Sequence, residues 1–187
     1  MNLPNKLTLL RVILIPIFAL FLLWQFTKWN ILIALLIFAA ASLTDMLDGQ
    51  IARKRNLITD FGKFLDPLAD KALVMAALVA FVELGWCSSV PVMIILFREF
   101  MVSALRLVVK SDNGIVVPAG WFGKIKTAFT MLSLIAILLL RGIEALGAEP
   151  PFIYQISAAL VWISAALTAG SGLQYLKAYW KAIDPNK

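Results

Sequence analysis

The chain has 187 residues, 61% of them hydrophobic and 15% charged, with a mean hydropathy of +0.89. Soluble domains are about half apolar and about a quarter charged, so this composition excludes an ordinary water-soluble domain and predicts one polytopic membrane domain over 1–187. The absence of His and the single Cys87 exclude imidazole chemistry, an internal disulfide and a Cys-rich metal site, while a net charge of +6 suits anionic lipid and phosphate-bearing substrates.

Asn2 and Pro4 predict a helix start, with residues 1–8 as a short juxtamembrane segment. Lys6 and Arg11 then precede an apolar run over 12–26. The run resembles a signal peptide, but no small-residue cleavage site follows. Trp24, Phe26 and Trp29 read as an interfacial aromatic belt, so a retained first span is expected. The second apolar run, 30–44, has only 15 residues before Asp45. A span needs about 20, so helix 2 should continue through Asp45 and Asp48 and hold them at the membrane boundary. The uncharged run 72–82 is too short in the same way unless Asp66 and Asp70 belong to helix 3. Thr59 or Asp60 would cap that helix, with Pro67 in an early turn where proline is tolerated. Residues 85–89 read as a turn, and 90–109 as a fourth span carrying Arg98, Glu99 and Arg106. Charges at such depth are functional candidates, with a structural ion pair between helices as the alternative. A polar loop over 110–123 leads to a fifth span from Gly123 to about residue 140, a loop over 142–151, and a sixth span from 151 to about residue 176. The expected fold is all-α with six transmembrane helices. Of 17 Lys and Arg, only Lys28 and Arg141 fall at the ends opposite the termini. That asymmetry predicts both termini, and the segment from Asp45 to Asp70, on the cytoplasmic side.

That segment carries the chemistry. It reads Asp45-Met-Leu-Asp48-Gly49-Gln-Ile-Ala52-Arg53, eight further residues, then Gly62-Lys-Phe-Leu-Asp66-Pro-Leu-Ala-Asp70. On a helix Asp45 and Asp48 share a face, and Gly49, Ala52 and Arg53 fall on the same face. Gly62, Asp66 and Asp70 step by four along the next helix. A linker of about six residues would make the two helices antiparallel neighbours and bring both Asp pairs to the same end. Carboxylates in apolar surroundings need something to offset their charge, and an all-oxygen ligand set suits Mg²⁺ or Mn²⁺ rather than zinc. Taken singly, an Asp pair is usually a solvated face or a cap, and a Gly or Ala in a membrane helix is usually a packing contact. The combination is more specific than either.

The whole pattern, D-x2-D-G-x2-A-R-x8-G-x3-D-x3-D, resembles the signature of the CDP-alcohol phosphotransferase family, and all eight positions match. The resemblance implies a membrane transferase that moves a phosphatidyl group from a CDP-linked lipid to an alcohol and releases CMP. It implies two divalent ions held by Asp45, Asp48, Asp66 and Asp70, with Asp70 also the base for the acceptor hydroxyl. The nucleotide pyrophosphate would meet Asp48, Gly49, Ala52, Arg53 and Gly62. Flanking stretches (Pro4 to Arg11, Phe97-Arg98-Glu99-Phe100, and Gly123-Lys124-Ile-Lys126-Thr127) resemble the bacterial branch of the family that uses sn-glycerol 3-phosphate. CDP-diacylglycerol is then the donor, phosphatidylglycerophosphate the product and the bacterial inner membrane the location. Homodimers are usual in the family, and no nucleic-acid partner is expected. Arg98, Arg106, Lys124, Lys126 and Thr127 are candidates for the acceptor phosphate, because cations must offset its charge beside a pyrophosphate. Two other readings stay open here: the same chemistry with inositol phosphate or serine as acceptor, and a six-span divalent-cation transporter, which would not need Gly49, Ala52 and Arg53.

Overall fold

The computed structural model describes residues 3–24, 26–54, 60–112, 121–148 and 151–179; within these, the side chains at 3–4, 45–54, 60–64, 66–67, 70 and 107–112 lie outside the described set. Six helices run in chain order: α1 (Leu3–Leu23), α2 (Asn30–Lys54), α3 (Asp60–Glu83), α4 (Ser89–Asp112), α5 (Trp121–Ala145) and α6 (Ile153–Tyr179). Among the described residues, three contain stretches long and apolar enough to cross a membrane: Asn5–Leu23, Trp121–Ala145 and Ile153–Tyr179. In α2 the apolar part is the shorter Asn30–Thr44. α2 does continue through Asp45 and Asp48, and α3 does contain Asp66 and Asp70.

Several boundaries differ from expectation. α1 already includes residues 3–8, so the expected juxtamembrane segment is the first part of the same helix. α5 runs five residues beyond the expected end near 140, because Arg141 and Glu144 pair across one turn at 2.9 Å and prolong it. Pro67 lies about two turns into α3. The linker 55–59 and most of the loop 110–123 lie outside the described residues.

The chain divides into two compact units, Met1–Trp86 with Leu134–Ile153, and Cys87–Ser133 with Tyr154–Lys187. In the first unit α1 packs against α2 and α3, and α2 touches α3. The α1–α2 hairpin is clasped by Asn30, which is 2% exposed. Its Oδ1 accepts from the Thr27 amide and hydroxyl at 2.9 and 2.8 Å, and its Nδ2 donates to the carbonyls of Phe21 and Trp24. One amide thus satisfies the carbonyls left over where α1 ends. Below it Phe18 and Phe38 pack with ring centroids 5.5 Å apart. Gly142 accepts Leu32 so closely that a Cβ would lie 2.4 Å from the Leu32 Cδ2. α3 ends at Gly85, φ 69°, where the Trp86 amide donates to the Phe81 carbonyl at 2.8 Å and the Gly85 amide to Val82 at 3.0 Å. A left-handed residue is what this two-bond helix ending requires, and glycine adopts it without a Cβ clash. Gly147 ends α5 in the same way, with φ 100°.

In the second unit α6 offers a face of small polar residues, Ser157, Ser164, Thr168 and Ser171, continued by Gly172 and Tyr175, all buried. Small residues at this spacing let helices approach closely where lipid gives no hydrophobic drive to associate. Val102, Tyr175 and Tyr179 form a buried cluster with Met101 against it.

Candidate active site

Asp45, Asp48, Gly49, Ala52 and Arg53 all lie on α2, and Gly62, Asp66 and Asp70 on α3. Their side chains belong to those outside the described set, so their positions follow from the helix register alone. Asp48 and Asp45 stand six and nine residues before the end of α2 at Lys54, and Asp66 and Asp70 six and ten residues after the start of α3 at Asp60. At 1.5 Å per residue, both pairs sit about 9 to 15 Å from the short linker. Two touching helices joined by five residues therefore carry their aspartate pairs at matched depth. Among the described residues no group of three or more His, Cys, Asp or Glu side chains is placed to hold a metal.

α1 adds a feature the sequence reading missed. Asn5, Thr8 and Arg11, spaced by three, are 7%, 1% and 0% exposed. Arg11 Nε donates to the Ala41 carbonyl at 3.3 Å, and the Thr44 hydroxyl donates to that same carbonyl at 2.7 Å. Ala41 lies one helical turn before Asp45, so the polar stripe of α1 braces α2 where the motif begins. The signal was present as three polar residues on one face of an apolar helix, but Arg11 reads equally well as an interfacial anchor.

The acceptor candidates separate into two groups. Arg98 and Lys126 are buried, and both pair with the Glu99 carboxylate, Arg98 Nη1 at 3.1 Å and Lys126 Nζ at close range. Arg98 Nη2 donates to the Ser171 hydroxyl at 2.6 Å. Arg106, Lys124 and Thr127 are exposed. Arg106 Nη2 bonds the Tyr175 hydroxyl at 2.6 Å, and the ring of Tyr175 has the Arg98 and Arg106 guanidinium carbons 5.5 and 4.9 Å from its centroid. Lys124 lies instead over the Trp121 ring at 5.5 Å, and the Thr127 hydroxyl donates to the Gly123 carbonyl at 2.9 Å. Arg98, Arg106 and Lys126 are thus gathered around Glu99 and Tyr175, with Lys124 and Thr127 on the neighbouring first turns of α5. Ser171 and Tyr175 went unnoticed because nothing local distinguishes them within α6.

Cys87, in the turn after α3, is 6% exposed, and burial pushes its thiol up to about 11.

The first unit carries the aspartate pairs on two joined helices, and the second carries a cluster of cations around a tyrosine, which by itself leaves the class of protein open. Comparison with known proteins makes the class definite. The family model described as CDP-alcohol phosphatidyltransferase matches residues 1–170. The chain is 40% identical over 193 residues to the CDP-diacylglycerol–glycerol-3-phosphate 3-phosphatidyltransferase of Bacillus subtilis, covering 97% of each. It is 42% identical to the protein of the same name from Pseudomonas fluorescens, over 96% of this chain and 91% of that one. The corresponding Escherichia coli K12 protein is 39% identical, over 95% and 94%. The chain belongs to the CDP-alcohol phosphatidyltransferase family.

Proposed function

We infer that the protein transfers the phosphatidyl group of CDP-diacylglycerol to sn-glycerol 3-phosphate, giving phosphatidylglycerophosphate and CMP. The observation that carries this is the complete eight-residue motif on two touching helices, in a chain similar over nearly its whole length to relatives named for this reaction. The protein works as one domain in the bacterial inner membrane, crossing it six times with both termini and the active site cytoplasmic, and it pairs as a homodimer.

Asp45, Asp48, Asp66 and Asp70 would hold two Mg²⁺ or Mn²⁺ ions. The fit rests on donor chemistry, since four carboxylates and no imidazole form a hard oxygen set, and the helix bounds support it by their matched depth. When bound, the ions offset the pyrophosphate charge and stabilise the departing CMP. Asp70 also takes the proton from the attacking hydroxyl. Gly49, Ala52 and Gly62 leave room for the nucleotide near the backbone, and Arg53 binds phosphate. Arg106, Lys124, Lys126 and Thr127 receive the acceptor phosphate, aided by the amide groups that open α5. Arg98 contributes to the same field through Glu99, which it shares with Lys126.

The test is CMP release by the purified protein with CDP-diacylglycerol and, in turn, glycerol 3-phosphate, inositol phosphate, serine and glycerol. Glycerol 3-phosphate should be the preferred acceptor, a chelator should abolish release, and Mg²⁺ or Mn²⁺ should restore it. Preference for another acceptor overturns the assignment within the family.

A further inference from the structure

α4 and α6 are joined by two rows of side chains. Arg98, Val102 and Arg106 step by four along α4, and Ser171, Tyr175 and Tyr179 step by four along α6, so each row occupies one helix face. Arg98 bonds Ser171 at 2.6 Å and Arg106 bonds Tyr175 at 2.6 Å, while Val102, Tyr175 and Tyr179 form the buried cluster between. Two guanidiniums therefore stand against one ring, 5.5 Å (Arg98) and 4.9 Å (Arg106) from its centroid.

The two are not equivalent. Arg98 is 7% exposed, and both its Nη atoms are committed, one to Glu99 and one to Ser171. Arg106 is exposed, and the Tyr175 hydroxyl is its one hydrogen-bond partner among the described residues. An arginine carries further donors beyond the one so used, and they suffice for a bidentate hold on a phosphate. The cluster thus offers one guanidinium to a ligand and keeps the other as part of its frame. Tyr175 belongs to that frame too. It is 6% exposed, and the buried Tyr179 ring stacks on it at 6.2 Å with an interplanar angle of 14°. A ring face attracts a guanidinium without fixing how its fork is turned, whereas a hydrogen bond to a hydroxyl on a rigid ring fixes it.

We propose that Tyr175 is a positioning residue for the acceptor: its hydroxyl turns and holds the Arg106 guanidinium so that the remaining donors meet the phosphate of sn-glycerol 3-phosphate. This rests on the reading of Arg106 as a ligand of that phosphate, and adds a residue that touches neither substrate. Ordering Arg106 before the acceptor arrives removes part of the entropy cost of binding. The competing account is a hydroxyl that only finds a partner for itself, as buried tyrosines do. That role would show in stability and leave acceptor affinity alone.

The experiment is steady-state kinetics in detergent micelles with both substrates varied, on wild type, Tyr175→Phe, Arg106→Ala and the double variant, with thermal unfolding of each sample. Tyr175→Phe keeps the ring and its stacking and removes only the hydroxyl. KM for glycerol 3-phosphate should rise about fivefold, with kcat and KM for CDP-diacylglycerol within about twofold of wild type. The double variant should stay near the value for Arg106→Ala, a rise of about tenfold, whereas independent effects would multiply to about fiftyfold. Arg106→Lys tests the same point with Tyr175 intact, because it keeps the charge and loses the planar fork; its acceptor KM should also rise about fivefold. An unchanged acceptor KM in Tyr175→Phe, an equal rise in KM for both substrates, multiplied effects in the double variant, or full acceptor affinity in Arg106→Lys overturns the proposal. If Arg106→Ala raises the acceptor KM and Tyr175→Phe does not, the positioning role fails alone. If Arg106→Ala leaves the acceptor KM unchanged, the reading of Arg106 as a phosphate ligand falls and the positioning role falls with it.

Discussion

Glu99→Gln isolates the ionic centre of the second unit. In the native protein one carboxylate faces two cations, and the side chains of Glu99, Arg98 and Lys126 are 14%, 9% and 11% exposed. The substitution keeps the shape of the side chain but leaves the two cations facing each other across a neutral amide. Removing one partner of a buried ion pair costs about 3–5 kcal/mol. The lower end applies here, about 3 kcal/mol, because the glutamine oxygen still accepts one hydrogen bond and each group keeps some contact with its surroundings. For a chain of this size that corresponds to a fall in Tm of about 6–12 °C. Tryptophan fluorescence on heating in detergent reads the stability. Acceptor kinetics on the same sample separate function from folding, since the variant gains a net positive charge at the cluster. If the cluster receives the acceptor phosphate, KM for glycerol 3-phosphate should stay level or fall while stability drops. A Tm within about 2 °C of wild type would refute the ionic reasoning. A KM that rises severalfold with unchanged stability would show that Glu99 touches the acceptor rather than holding its cations.

Three further outcomes are expected. Asp45→Asn, Asp48→Asn, Asp66→Asn and Asp70→Asn should each lower kcat/KM at least about a hundredfold while remaining inserted, and a variant that keeps full activity at low metal would contradict the two-ion reading. Arg106→Ala, which loses the bond to Tyr175, should raise KM for glycerol 3-phosphate by about tenfold and leave KM for CDP-diacylglycerol nearly unchanged; the reverse split would reassign the cluster to the nucleotide. Cys87 should react slowly with an impermeant maleimide at neutral pH, because its thiol stays protonated until about pH 11, and the rate should climb as pH rises toward that value. Ser88→Cys, at an exposed position, should react quickly from outside intact cells; labelling only after permeabilisation would invert the proposed topology.

The helices that carry the aspartate pairs were legible from the chain alone. A run of 15 apolar residues is too short to cross a bilayer, so α2 had to include Asp45 and Asp48, and the same arithmetic drew Asp66 and Asp70 into α3. Gly85 announced the turn after α3 because the left-handed helix ending selects glycine. These are local matters of length, period and backbone conformation, and a sequence carries them directly. The neighbours of each helix face are another matter. Arg98, Glu99 and Arg106 could be recognised as charges at depth and Lys126 as a cation at the start of the fifth span, but only the packing of the second unit joined Arg98 and Lys126 through one carboxylate and brought Ser171 and Tyr175 to meet Arg98 and Arg106. Gly172 looked like any glycine in an apolar helix until the stem of Arg98 was seen crossing it. Arg11 could anchor to headgroups or turn inward, and the Ala41 carbonyl of α2 decided the question. Periodicity states which residues share a face of one helix; which other helix that face meets is settled by the summed packing of segments far apart in the chain.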